Sequence, residues 1–195
     1  MKRAFFLGGV VLLGMIVGWK AADRPEVAGR PRSEAISWMT VDEAGEKLKA
    51  AKKPVIVDLY TTWCGWCRQM DKKTYSNKQV AAYLQDKFYT VKMDAETHST
   101  VNWMGKAYSF SPKYRVNEFA MYLTRGQLEF PTTIIIPPGE EPQAVPGYLE
   151  PKDLELLVKY FGEGFTGLNL LTRIRKVLRE VGKKNGAGRV CTITI

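Results

Sequence analysis

The alternation of apolar and polar positions divides the chain into a short apolar head, a polar linker, a long mixed body and a basic end. The head is AFFLGGVVLLGMIVGW, residues 4–19, sixteen positions without a charge, preceded by Lys2 and Arg3 and followed by Lys20. The linker is DRPEVAGRPRSE. After it, residues 37–52 read as a helix that Thr40 or Asp42 can cap, with Ala44 and Leu48 four apart and Pro54 just beyond its end. VIVDLY at 55–60 is dense in β-branched residues and predicts a buried strand, with one acid, Asp58, inside it. A helix is expected to begin near Cys64 and run through Met70, and a second over 77–86 carries Val80 and Leu84 on one face. FYTVKMD, 88–94, alternates as a strand.

Residues 95–129 are too apolar for a disordered linker and are read as helical pieces, best defined over 117–123, with a turn at Arg125–Gly126. FPTTIIIPPGEE gives a strand at 132–136 stopped by Pro137, Pro138 and Gly139, and QAVPGY a short partner strand at 143–148. Pro151 fits the first turn of a helix reaching about residue 161, with Leu154, Leu157, Val158 and Phe161 as its apolar stripe. A further amphipathic helix is expected over 168–181, stopped by Gly182, and the final RVCTITI reads as an isolated strand-like piece. The order of elements implies one layered α/β or α+β domain with a small sheet.

Composition changes this picture mainly at the ends. A basic segment before an apolar run has the layout of a secretory signal, and sixteen residues fall short of the ~20 that span a bilayer comfortably. No clean small-x-small cleavage site follows, so residues 1–22 are expected to act as a signal peptide or an N-terminal membrane anchor, and residues 23–36 as a linker. The net charge is +9, yet residues 34–164 hold 16 Lys/Arg against 17 Asp/Glu. The excess lies at the two ends, which argues against nucleic acid as a partner and leaves an anionic membrane surface or a solvated tail. Three cysteines are too few for a disulfide-stapled scaffold.

The chemistry concentrates in TTWCGWCRQM, residues 61–70. A tetrahedral zinc site needs four ligands, and beyond Cys64 and Cys67 only the distant Cys191 and His98 remain as soft candidates. Covalent haem attachment wants a His after the second Cys, where Arg68 stands. Two inert core cysteines stay open as the bland alternative. A redox pair fits best: Cys64 follows a strand and a two-threonine turn, so the free amides of a helix start stabilise its thiolate, and Cys67 lies three residues on. Trp66 adds an apolar surface beside the nucleophile, Trp63 is expected to pack the loop on its other side, and Gly65 keeps the turn accessible. Asp58, six residues before Cys64, would be a buried acid able to relay a proton to or from Cys67, or else a solvent-facing acid on an edge strand. Lys92 is read as a solvated lysine, the alternative being positive charge near the site, and Cys191 would be reactive if exposed, although the sequence names no neighbour for it. Pro131 at a strand start marks either a structural turn or an edge that pairs with an extended substrate.

VIVDLYTTWCGWCRQM, FPTTIII and VPGYLEPKDL together resemble the thioredoxin superfamily. The resemblance covers about residues 37–164. It implies a thioredoxin-like α/β fold, a central mixed sheet flanked by helices, with a helical insert at about 95–129 before a cis-proline strand. It makes Asp58 the buried acid, Cys64 and Cys67 the redox pair and Pro131 the cis-proline, with Trp63, Gly65, Trp66, Phe130, Pro131 and Thr132 shaping a substrate groove. WCGWCRQMDKKTYSNKQVAAYLQDKFYTVKMDAE further resembles the thioredoxin-like proteins of bacterial envelopes, among them the C-terminal domains of periplasmic thiol:disulfide interchange proteins. Trp66 departs from the Pro or His of better-known members, and residues 165–195 lie outside the pattern as a basic C-terminal helix and tail. The expectation is a thiol–disulfide oxidoreductase of the periplasm or cell envelope, a reductase or isomerase of protein disulfides. It would use no metal or organic cofactor and depend on a second redox protein to reset the pair. An oxidase and a non-catalytic, membrane-tethered interaction module with a structural disulfide are the alternatives.

Overall fold

The computed structural model describes residues 35–50, 52–163, 179–180, 182–183 and 188–193, all within one compact unit. The expected signal or anchor segment, the linker up to residue 34 and most of the expected helix 168–181 lie outside the described residues. The elements run α1 (Val41–Ala50), β1 (Val55–Tyr60), α2 (Gly65–Met70) continuing as a π-helical turn (Asp71–Tyr75), α3 (Lys78–Lys87) and β2 (Tyr89–Asp94). Then come β3 (Val101–Trp103), β4 (Lys106–Tyr108), β5 (Phe110–Ser111), β6 (Val116–Asn117), α4 (Glu118–Thr124), β7 (Glu129–Phe130), β8 (Thr132–Ile136), β9 (Gln143–Pro146), α5 (Pro151–Gly162) and β10 (Cys191–Thr192).

Four strands build the central sheet in the order β2-β1-β8-β9. β1 runs parallel to β2 and antiparallel to β8, and β9 antiparallel to β8. Met39 extends the β2 edge through a parallel bridge to Val91. The helix expected over 37–52 therefore starts only at Val41, because residue 39 is held in extended backbone by the sheet. Thr40 and Glu43 form the capping box: the Glu43 N–H donates to Thr40 Oγ1 at 3.2 Å and the Thr40 N–H to Glu43 Oε2 at 2.7 Å.

Because side chains alternate across a strand, β1 serves two cores at once. Val55, Val57 and Leu59 meet α1, α4 and the insert, while Ile56 meets Met70 of α2, Leu84 of α3 and Leu154 of α5. These β1 residues are essentially fully buried, each worth ~1.5–3 kcal/mol. Asp58 falls on the same face as Ile56 and is buried with it, beneath α2.

The insert corrects the expectation of helical pieces. The helix at 118–124 is present, but before it lie two short antiparallel ladders, β3–β4 and β5–β6. Strands of two or three residues show no readable alternation, and the turn between β3 and β4 needs left-handed backbone at Met104 and Gly105, φ +50° and +82°. Asn117 ties this region together. Fully buried, it caps α4 by accepting from the Phe119 N–H at 2.9 Å and donates to the carbonyls of Thr97 and Ser99.

Two expectations at the C-terminal end are also corrected. Gly182 does not stop a helix, since Gly182 and Lys183 are themselves helical. The strand at the end of the chain is not isolated: β10 pairs antiparallel with β7, Cys191 opposite Phe130 and Thr192 opposite Glu129. A ladder of two residues rests on long-range contacts, which no local pattern records.

Candidate functional site

β1 leads directly into the site. The turn after Tyr60 is closed by the Cys64 N–H donating to Thr61 O at 3.2 Å, which leaves Cys64 as the N-cap of α2 in extended conformation. Its sulfur accepts the Cys67 N–H at 3.3 Å, one of the orphan donors of a helix start. Arg68 locks the loop by donating from Nη1 to Thr62 O at 3.0 Å. A side chain at Gly65 would meet Arg68 Nη2 at 3.8 Å, ordinary van der Waals contact, so the surrounding space does not itself demand a glycine there.

Cys64 and Cys67 are both free, buried thiols at the start of α2. The Cys67 thiol, followed by hydrogen bonds from Cys191 and from the N–H groups of Cys67 and Trp66, overcomes burial and brings the Cys64 pKa down to about 6. Cys67 moves the opposite way. Its hydrogen bond to the Cys64 sulfur, then burial, then the charges of Cys64 and Asp58 push its thiol far up. One sulfur is thus held as thiolate while its neighbour keeps the proton.

Asp58 lies beneath this pair, buried on β1. Its carboxylate takes an ion pair from Lys92 Nζ at 3.0 Å, and the same ammonium contacts Asp71 at the start of the π-helical turn. Burial raises the Asp58 pKa to about 6 despite Lys92. Burial works against the Lys92 ammonium too, but Asp58 and Asp71 outweigh it and hold its pKa above the usual value. The expectation of a solvated Lys92 is therefore corrected. It stands opposite Asp58 across the β1–β2 ladder, with its ammonium 5.1 Å from the Tyr60 ring centroid and 5.4 Å from that of Trp38. Tyr75 and Thr133 complete the surroundings of Asp58, their hydroxyls buried without a hydrogen-bond partner among the described residues.

The groove residues divide by depth. The Phe130–Pro131 peptide is cis, and both residues are buried. Cys64 Sγ lies 3.5 Å from Phe130 O. Thr132 is buried with its hydroxyl donating to Glu129 O, so it supports the groove from beneath. Trp63 does not pack against the loop as expected. It is 46% exposed, held by Nε1 donating to Glu96 Oε2 at 3.0 Å and by an edge contact to Phe130. Trp66 leans on Tyr148, with ring centroids 5.5 Å apart, and donates from Nε1 to Gly188 O at 2.8 Å.

Three participants were out of reach of the sequence reading. Asp71 and Tyr75 join Asp58 only because the helix after Cys67 runs on as a π-helical turn above β1. Cys191, for which the sequence names no neighbour, stands opposite Phe130, whose carbonyl lies 3.5 Å from Cys64 Sγ. Among the described residues no helix is long and apolar enough to cross a membrane.

Known proteins share parts of this arrangement. The rice chloroplastic thioredoxin Y is 32% identical over 84 residues, 43% of this chain and 48% of that protein. The thiol:disulfide interchange protein DsbD of Escherichia coli K12 is 48% identical over 48 residues, 24% of this chain and 8% of that protein. The chain thus spans less than half the length of either relative. A thioredoxin-fold protein from Helicobacter pylori superposes with a TM-score of 0.52 over 79% of this chain and 96% of that one, at 10% identity, which speaks for the fold. Residues 30–181, a span that takes in Asp58, the cysteine pair and Pro131, match Thioredox_DsbH (protein of unknown function, DUF255), and the chain belongs to this family of the thioredoxin superfamily.

Proposed function

We propose that this protein is a thiol–disulfide oxidoreductase that reduces or rearranges protein disulfides in the cell envelope. The observation that carries the reading is the asymmetry of the pair, with Cys64 held as a thiolate at a helix start and Cys67 held protonated beside it. The Cys64 thiolate attacks one sulfur of a substrate disulfide, forming a mixed disulfide and releasing the other sulfur as a thiolate that takes a proton from water. Cys67 then attacks Cys64 Sγ. The Cys64–Cys67 bond forms, the second substrate thiolate leaves, and two electrons have passed to the substrate. Asp58, ionisable near pH 6 and electrostatically linked to Cys67, accepts the proton that Cys67 must lose. Trp63, Gly65, Trp66, Phe130 and Pro131 form the groove, with Thr132 beneath.

Reduction is favoured over oxidation. A Cys64 pKa of about 6 stands nearer the value of about 7 in thioredoxin than the value of about 3.5 in the strongly oxidising DsbA. The signal-like N-terminus and the matching segment of DsbD support an envelope location, where a second redox protein would return the pair to the thiol state. The basic ends would add contact with an anionic membrane surface.

The test is turnover of a disulfide-bonded protein such as insulin by the reduced chain. Cys64→Ser should abolish it, and Cys67→Ala should accumulate insulin as a mixed disulfide on Cys64. Asp58→Asn should slow release of that adduct by wild-type Cys67 about 100-fold. Insulin reduction that survives in Cys64→Ser would end this assignment. Equilibration with glutathione mixtures fixes the direction: a potential near the −270 mV or so of thioredoxin marks a reductase, and one near about −120 mV an oxidase.

A further inference from the structure

Residues 188–193 lie across the groove in the manner of an extended peptide. β10 pairs antiparallel with β7, directly before the cis-proline, and the Ile193 N–H extends the ladder by donating to Leu128 O at 3.2 Å. The segment is held from several directions. Trp66 Nε1 donates to Gly188 O, the Tyr148 N–H donates to Arg189 O at 3.3 Å, and the Arg189 guanidinium pairs with Glu150 Oε1 at 3.3 Å. That guanidinium also lies 5.9 Å from the ring centroids of both Trp66 and Tyr148.

The register puts a cysteine at the one place where it matters. Cys191 is opposite Phe130, whose carbonyl faces Cys64 Sγ at 3.5 Å, and Cys191 packs against the apolar cluster that contains Cys64. Burial, followed by the influence of the Cys64 sulfur, raises the Cys191 pKa, which links the two thiols. Cys64, a nucleophile by position, is 0% exposed. Main-chain pairing to a sheet edge, with a side chain delivered to a fixed site, is the geometry of β-strand addition. Here the strand comes from the same chain, so it competes with any external peptide for the edge of β7.

We propose that residues 188–193 are a built-in substrate strand and that Cys191 is a third redox-active cysteine, forming a reversible disulfide with Cys64. This rests on Cys64 being the nucleophile. A disulfide R–S–S–R′ is attacked by the Cys64 thiolate, giving Cys64–S–S–R and R′–S⁻, which is protonated by water. Cys191, having lost its proton to water, attacks Cys64 Sγ. The Cys64–Cys191 bond forms, R–S⁻ leaves, and the two electrons come from Cys64 and Cys191. Attack of Cys67 on Cys64 then frees Cys191 and leaves the Cys64–Cys67 disulfide, so the strand can be displaced again.

The test uses the full chain carrying Cys67→Ala, reduced, freed of reductant and treated with oxidised glutathione. Remaining thiols are then blocked and the protein is mapped by mass spectrometry without reduction. The expected product is a Cys64–Cys191 linked peptide, and the Cys67→Ala/Cys191→Ser double variant should instead carry glutathione on Cys64. Glutathione on Cys64 in the single variant, with Cys191 blocked as a free thiol, overturns the proposal and leaves the nucleophile assignment standing. No adduct on Cys64 in either variant overturns both. In the chain with all three cysteines, Arg189→Ala should raise the alkylation rate of Cys64 by up to about fivefold by releasing the strand. An unchanged rate would show that the strand does not cover the site.

Discussion

Replacing Asp58 by asparagine should make the reduced protein more stable, not less, and only above a defined pH. The carboxyl is buried, and its pKa rises from 3.8 to about 6 because burial outweighs the attraction of Lys92. At ~1.4 kcal/mol per tenfold change in proton affinity, the ionised carboxylate costs the folded state about 3 kcal/mol relative to the unfolded chain. The sign follows from proton uptake. Between pH 3.8 and about 6 the folded state holds the proton that the unfolded chain has lost, so wild-type stability falls as pH rises through this window and is level above it. The amide of the variant has no charge to lose, and Lys92 keeps Asp71 as its partner. Urea unfolding of the two reduced proteins should therefore give equal midpoints near pH 3.5, with a gap opening to about 3 kcal/mol at pH 7. A gap that does not change with pH, or an Asp58→Asn protein less stable than wild type at pH 7, would refute the account of a carboxylate kept ionisable at a cost to the fold. Under the proposed mechanism this cost is offset by the use of the charge in activating Cys67.

Two further outcomes are expected. The thiolate absorbance of Cys64 should appear with a midpoint near pH 6, and Cys67→Ala, which removes the largest stabilising hydrogen bond, should move it up toward the ordinary ~8.5; a wild-type midpoint already at that ordinary value would contradict the pairing. Asn117→Ala removes the cap of α4 and leaves the carbonyls of Thr97 and Ser99 without that donor, so urea unfolding should show a loss of about 2–3 kcal/mol; a loss under 0.5 kcal/mol or so would mean the insert is not tied to the core through this residue.

Much of the site could be read from the chain because it is local. VIVDLY, two threonines and Cys-x-x-Cys follow one another, which is enough to place Cys64 at a helix start just after a strand, while the burial of Asp58 is decided by the packing of α2 over β1. α3, β2, β8 and α5 were likewise visible, each carrying a pattern long enough to show its period. The hairpins of the insert were not, because their strands are only two or three residues long.

The sequence by itself placed the cysteine pair at a helix start and the core strands, since these rest on periodicity and on neighbours within a few residues, and it left Asp58 either buried or facing solvent at an edge. Tertiary structure alone decided what those groups meet. Lys92 and Asp71 come to Asp58 through a strand ladder and a π-helical turn, and these set how readily it ionises. Cys191 comes to Cys64 across 127 positions of chain, delivered by two paired residues and a handful of hydrogen bonds. A lone cysteine in a short basic tail carries no local mark of its partner, because the contact is made by sheet register and not by spacing along the chain.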